Sequence, residues 1–254
     1  MISIVMCSRT QAEADRAADI FDAVLAGEQH EVVTVIAAPS MCSGYNAGIR
    51  QASGEVVCFV HDDVEPIGQQ FAQRLLGHMQ RFDVLGVAGG SKLIGPAWHL
   101  AGPPHVFGQV THGDRANGRM WVNTFGVPSR AVDGIVALDG LFMACRRSVL
   151  DRVTFDEQVP GYHLYDIDFS YRAAQAGFNV GVACDLDLLH WGKADFNSPP
   201  WQAAAGVFRH KHAATIPLVS EFAAWTIPVT HVASRAEAVE VMRRAHEATE
   251  SRNA

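Results

Sequence analysis

FVHDDVEP, residues Phe59 to Pro66, is the stretch on which the reading of the fold turns. It completes an apolar, β-branched run from Val56 to Val60 that stops abruptly at His61, Asp62 and Asp63. A short apolar run of this kind reads as a strand covered on both faces, and Pro66 reads as the opening of the next helix. In open α/β sheets, ligands bind just beyond the carboxyl ends of the strands. Carboxylates at that point can hold a divalent cation that neutralises a diphosphate. Alternation along the strand sends His61 and Asp63 to one side and Asp62 to the other. The alternative is purely structural, a polar turn in which an Asp caps the following helix.

Outward from this strand the same pattern repeats. Apolar strands are expected at Ile2–Cys7, Glu31–Ala37 and Val84–Ala88, with helices at Gln11–Ala26, Ser43–Ala52 and Gly68–Arg81. Strands punctuated by helices imply an α/β fold with a mostly parallel sheet flanked by helices. The stretch Ser91–Asp133 is rich in Gly, Pro, His and aromatics and shows no sustained period, so it reads as an irregular, functional half. Beyond it come a strand at Leu141–Cys145, a helix from Asp166 to Ala176, strands at Val180–Cys184 and Leu186–His190, and helices near Trp201–His212 and Ser234–Glu250. With no internal repeat or low-complexity linker, one domain is the economical reading. It has two functional halves (1–90 and 91–192) and a helical tail (193–254).

Composition narrows the function classes. The chain has 254 residues, 48% hydrophobic and 19% charged, with a net charge of −7, which speaks against a general nucleic-acid binder. Five scattered cysteines form no CxxC pair, and Cys58 and Cys145 lie inside apolar runs as expected of core residues. This usage fits a reducing compartment. The start MISIVMCSRT lacks the pattern of a secretory signal, and no run of about 18 apolar residues occurs. A cytoplasmic protein without a transmembrane segment is expected, with peripheral membrane contact left open.

Three further segments carry chemistry. In GYHLYDIDFSYRAAQAGF, Gly161 to Phe178, Asp166 and Asp168 open a helix, where the dipole favours negative charge. Asp168 is placed to pair with Arg172 at i+4. DLLHWG, Asp187 to Gly192, is a strand ending in His190, and LDGLFMACRRSVL, Leu138 to Leu150, sets Asp139–Gly140 before an apolar strand. Asp139 reads equally as a turn former or a ligand contact. Trp98, His99, His105, His112 and Trp121 are candidates for an acceptor lip.

Taken together, these segments resemble family-2 glycosyltransferases of the GT-A fold. In that family an Asn-x-Gly helix leads into a strand ending in a D-x-D motif, and NAGIRQASGEVVCFVHDDVEP, Asn46 to Pro66, is similar, with His61 at the first Asp and Asp63 at the second. The segment also resembles a glycosyltransferase-like subgroup with a His-x-Asp-Val motif. Inverting members carry E-D-x-D-L followed by Arg. Here Tyr165 stands at the Glu, while Asp166, Asp168, Phe169 and Arg172 match the remainder. The resemblance covers residues 1–192. It departs after the first strand, where Cys7, Ser8 and Arg9 replace Pro-Thr, and after the second, where VIAAPSMCSG lacks the carboxylates that help read the base.

The resemblance implies an inverting, metal-dependent transfer of sugar from a nucleotide-diphosphate sugar to a carbohydrate or other hydroxyl acceptor. Asp166 is then the general base. Asp63, His190 and His61 are the metal candidates, completing with the diphosphate a mixed N/O site suited to Mn²⁺ or Mg²⁺. Ser8, Arg9, Asn46, Asp62, Asp139, His163 and Asp168 are the substrate-binding candidates, with Ser8 and Arg9 expected to share one nucleotide pocket with the acids after the third strand. Trp191 is a weaker sugar contact. Two rivals remain. A nucleotidyltransferase would carry a glycine-rich triphosphate loop after the first strand, and MCSRTQAEAD has no glycine. A non-catalytic sugar-nucleotide-binding protein would fit the His61 and Tyr165 replacements.

Overall fold

The structure is a computed structural model that describes residues 1–192, 197–217 and 224–253. Its first half alternates β1 (Ile2–Ser8), α1 (Gln11–Val24), β2 (His30–Ile36), α2 (Met41–Gln51) and β3 (Val56–His61). The two helices start where side chains take up free backbone N–H groups. Thr10 caps α1 through Glu13 N at 3.3 Å, and Ser40 and Ser43 cap α2 reciprocally. That reciprocal box begins α2 at Met41, two residues earlier than the apolar spacing suggests. Gly48 lets α2 lie directly on β1, because a Cβ there would strike the Val5 side chain.

The first sheet has the order β2-β1-β3-β11-β5-β12-β9, with β5 at Val84–Gly86, β9 at Ala131–Val132, β11 at Phe142–Arg146 and β12 at Val180–Ala183. Strands β2, β1, β3, β5 and β12 run one way, while β11 and β9 oppose them. The α/β expectation therefore holds, with one antiparallel strand set into the middle of the sheet. Short α4 (Arg147–Leu150) follows β11, and α5 (Tyr165–Gln175) precedes β12.

A second sheet corrects two expectations. Pro66 does not open a helix. It ends a short strand, β4 (Val64–Pro66), which pairs antiparallel with β13 (Leu188–His190), and α3 begins only at Phe71 and runs to His78. The stretch Ser91–Asp133 is also more regular than its composition suggests. After β6 (Ala88–Gly90) it builds a long antiparallel hairpin of β7 (Val106–Asp114) and β8 (Arg119–Phe125), turning at Asn117–Gly118. With β10 (Ala137–Leu138) and β14 (Val229–Val232), these strands form the second sheet.

Within the 193–254 tail, the described residues hold α6 (Pro199–Lys211), β14 and α7 (Arg235–Asn253). Trp201, Ala204, Ala205 and Phe208 of α6 pack into the main hydrophobic cluster, which runs from Ile2 to Ile216. Helix α7 sets Ala238 and Met242 against Val122 and Val232. No described helix is long and apolar enough to cross a membrane. The five cysteines are free, and Cys58 and Cys145 are buried as expected.

Candidate active site

His61 is the last residue of β3, lying opposite Cys7 of β1 in a parallel register. The chain then turns through Asp62 and Asp63 into β4. The pairing of β4 with β13 sets His190 opposite Val64, which brings its Nε2 to 3.4 Å from Asp63 Oδ1. His61, Asp63 and His190 each offer a ligand atom, and all three atoms lie within 4.8 Å of one another.

These residues fit a divalent cation on three counts. The donors are two imidazole nitrogens and a carboxylate, a set used by first-row metals. Asp63 Oδ1 and His190 Nδ1 are buried without a hydrogen-bond partner. Gly192 borders the cluster, and a Cβ there would meet His190 Nε2 and come to 2.7 Å from Asp63 Oδ2, so the glycine keeps the space open. Burial works to raise the Asp63 carboxyl, but His190 and His61 outweigh it and hold the group below its ordinary value. Burial, reinforced by His190, pushes His61 down to about 4, so its imidazole is neutral at physiological pH.

The cluster opens into a cavity of about 540 Å³ that also receives Asp139, His163 and Asp166. Nine of the sequence candidates thus converge: His61, Asp63, Trp98, His99, His112, Asp139, His163, Asp166 and His190. Asp139 fills its turn role and also faces the cavity. Its Oδ1 accepts from Leu141 N at 3.1 Å within the turn, and its Oδ2 accepts from Trp98 Nε1 at 3.1 Å on the cavity wall. Asp166 corrects the helix-dipole expectation. Burial and then the Asp139 carboxylate push it up to about 7, despite the backbone N–H groups around it. The dipole loses because its few tenths to one kcal/mol is smaller than the cost of burying a charge beside another carboxylate.

The remaining candidates lie elsewhere. Asp62 faces away from the cavity, as the alternation requires, and its carboxyl is raised by burial while Ser8 and Arg9 work to lower it. Arg9 projects into solvent, 3.9 Å from Glu13. Asn46 spends its carboxamide on the 155–157 segment, donating to Phe155 O and Glu157 and accepting from Phe155 N at 3.1 Å. Asp168 is buried among Arg172, Lys211 and His212, each at 2.8 Å, and these partners hold it at about 2 against the effect of burial. The i+4 pair with Arg172 is present, and through the other two partners Asp168 ties α6 to α5. Trp191 donates Nε1 to Glu65 at 2.7 Å and carries Arg115 over its ring.

Two cavity residues make contacts that the sequence does not show. His112 stacks on Trp121 and sits 5.6 Å, ring to ring, from His190, with burial pushing it down to about 4. The alternation of β7 could have placed it, had the strand been recognised. The Tyr165 hydroxyl oxygen lies 2.5 Å from His61 Nε2. The two positions that depart from the resembled pattern, His61 and Tyr165, therefore touch.

A strand-end cluster of one carboxylate and two imidazoles thus shares a cavity with a buried carboxylate on an α/β frame. The chain belongs to the glycosyltransferase-like family, whose profile matches residues 3–209. Sugar transfer is the class of activity this membership gives, and the chain is a glycosyltransferase. No curated protein matches it by sequence. Among solved structures it is similar to S. aureus TarS, at 13% identity and a TM-score of 0.49, over 85% of this chain and 44% of that one. It is similar to GalNAc-T7, solved with UDP, GalNAc and Mn²⁺, at 11% identity and 0.49, over 83% of this chain and 48% of that one. A third, A197 from STIV, gives 12% identity and 0.45, over 76% and 87%. The chain spans less than half the length of the TarS and GalNAc-T7 chains.

Proposed function

We propose that the chain transfers a sugar from a nucleotide-diphosphate sugar to a hydroxyl acceptor, with inversion at the anomeric carbon and with a divalent metal. The observation that carries this reading is that one cavity holds both the His61–Asp63–His190 cluster and the buried Asp166. His61, Asp63 and His190 would hold Mn²⁺ or Mg²⁺, which when bound supplies positive charge for the departing diphosphate. Ser8, Arg9 and Asp62, grouped at the ends of β1 and β3, would contact the nucleotide. Asp139 and His163 would hold sugar or acceptor hydroxyls within the cavity. Asn46 would then support the site by tying α2 to the 155–157 segment, and Asp168 by tying α6 to α5.

Asp166 would act as the base. The acceptor oxygen attacks the anomeric carbon and the new C–O bond forms. The bond from that carbon to the diphosphate oxygen breaks, and its electron pair leaves with the nucleotide. The acceptor proton passes to an Asp166 carboxylate oxygen. A carboxyl held near pH 7 is a far better proton acceptor than an ordinary aspartate and is still substantially ionised at neutral pH. One displacement of this kind inverts the anomeric configuration.

The test is incubation with Mn²⁺ and a panel of UDP-, GDP- and dTDP-sugars with mixed hydroxyl acceptors, following nucleoside diphosphate release and product configuration by NMR. Metal-dependent release with an inverted product is expected. A retained configuration, or undiminished transfer by Asp166→Asn, overturns the assignment of the base.

A further inference from the structure

We propose that Tyr165 is a positioning residue that fixes His61 in its Nε2–H tautomer and so leaves Nδ1 as the one lone pair His61 can offer a metal. This role rests on the metal-dependent reading above. The Tyr165 hydroxyl lies 2.5 Å from His61 Nε2 and 3.1 Å from Gly140 O. A phenol has one hydrogen, and a carbonyl oxygen can only accept. Both contacts are hydrogen bonds in one arrangement alone. His61 Nε2–H donates to the Tyr165 oxygen, and the Tyr165 hydroxyl donates to Gly140 O. The opposite arrangement, in which Tyr165 donates to a bare Nε2, strips the Gly140 carbonyl of its donor beside a phenol that is only 3% exposed.

The surroundings hold this hydroxyl in place. Tyr165 packs edge-on against Tyr45, with ring centroids 5.6 Å apart, and also lies against Phe155. A Cβ on Gly140 would run into the Tyr165 hydroxyl and come to 2.7 Å from its ring carbon Cζ, so the glycine of the Asp139–Gly140 pair is the space into which the phenol fits. A ring nitrogen whose partner nitrogen is tied to an outer acceptor is a better-oriented and more basic ligand, and loss of such an outer partner commonly lowers metal affinity 10–100-fold. A carboxylate at position 61 would need no tautomer set. The imidazole there does, which gives the contact between the two departing positions a physical reason.

The deciding measurement is the ¹⁵N NMR tautomer pattern of His61 in metal-free protein, paired with calorimetric Mn²⁺ titrations of wild type and Tyr165→Phe. The expected result is an Nε2–H imidazole in the wild type. Tyr165→Phe should show a redistributed tautomer and about 10–100-fold weaker Mn²⁺ binding at little change in Tm. A phenol that served only packing would leave both the tautomer and the affinity unmoved, since Phe retains the ring. An Nδ1–H imidazole in the wild type, or an unchanged tautomer and affinity in Tyr165→Phe, overturns the role of Tyr165 while leaving the metal reading standing. A wild type that binds no Mn²⁺ overturns the metal reading and this role together. Should Tyr165→Phe not fold, the wild-type tautomer alone decides.

Discussion

Asp166 and Asp139 face one cavity, and their mutual repulsion together with burial sets the protonation of the candidate base. Because the folded-state carboxyl is raised to about 7, its protonated form is the one the fold favours. The sign follows: this contribution to stability is fully present below the unfolded value near 4 and is lost as pH rises through 7. Asp166→Asn removes the cost of the buried charge. The variant's Tm should exceed that of wild type by a margin that widens steadily from pH 5 to pH 8, read by thermal melts across that range. A Tm difference that does not widen with pH would contradict the raised carboxyl. Transfer activity should move the other way, falling about 10²-fold or more in the variant with nucleotide affinity nearly unchanged. Gly192 makes a second prediction at this scale. Gly192→Ala places a methyl between His190 and Asp63, so Mn²⁺ binding by calorimetry should be largely lost while the melting cooperativity stays intact.

At the scale of elements, α5 and α6 meet over one buried carboxylate. Asp168 is 1% exposed at its side chain and is shared by Arg172, Lys211 and His212. Removing one partner of such a buried network leaves the others uncompensated, so Asp168→Asn should cost roughly 3 kcal/mol in urea unfolding. A cost below about 1 kcal/mol, the scale of an exposed pair, would contradict this account. The Arg172 partner is readable from i+4 spacing, whereas Lys211 and His212 arrive from a distant helix and leave no local signature. The same division runs through the fold. Strands β1, β2 and β3 are legible because burial on both faces makes them continuous apolar runs, and alternation correctly sends His61 and Asp63 one way and Asp62 the other. Strand β4 is not legible. It is three residues long, contains Pro66, and exists because β13 pairs with it. The hairpin of β7 and β8 had a local signal in Asn117–Gly118, with Gly118 at φ 69°, which the surrounding Gly, Pro and His content obscured. The raised carboxyl of Asp166 is not legible locally, because its burial and the approach of Asp139 arise only in the tertiary fold.

Across the whole molecule, buried titrating groups pull stability in opposite directions. Asp166 and Asp187 are raised to about 7 and about 6, mainly by burial, and their contributions fade as pH rises. His61 and His112 are both depressed to about 4, again mainly by burial, and their contributions fade as pH falls below the ordinary histidine value. The shifts are of similar size, so the metal-free protein should show a nearly flat Tm between about pH 4.5 and 6.5. Below about pH 4 the Tm should drop steeply as Asp168, held near 2, takes up its proton. A steady slope across the middle range would show that one set dominates. The whole-molecule claim, however, is that the two halves meet at a metal-bridged nucleotide site. The most direct test is the Tm shift given by UDP-, GDP- and dTDP-sugars with Mn²⁺ or with excess chelator, in wild type and in Asp63→Ala. At about 100-fold over Kd, the matching nucleotide sugar should raise the wild-type Tm by roughly 5–10 °C with Mn²⁺. That shift should vanish both in chelator and in Asp63→Ala. An equal shift in chelator, or one that survives in Asp63→Ala, would contradict the metal-bridged site.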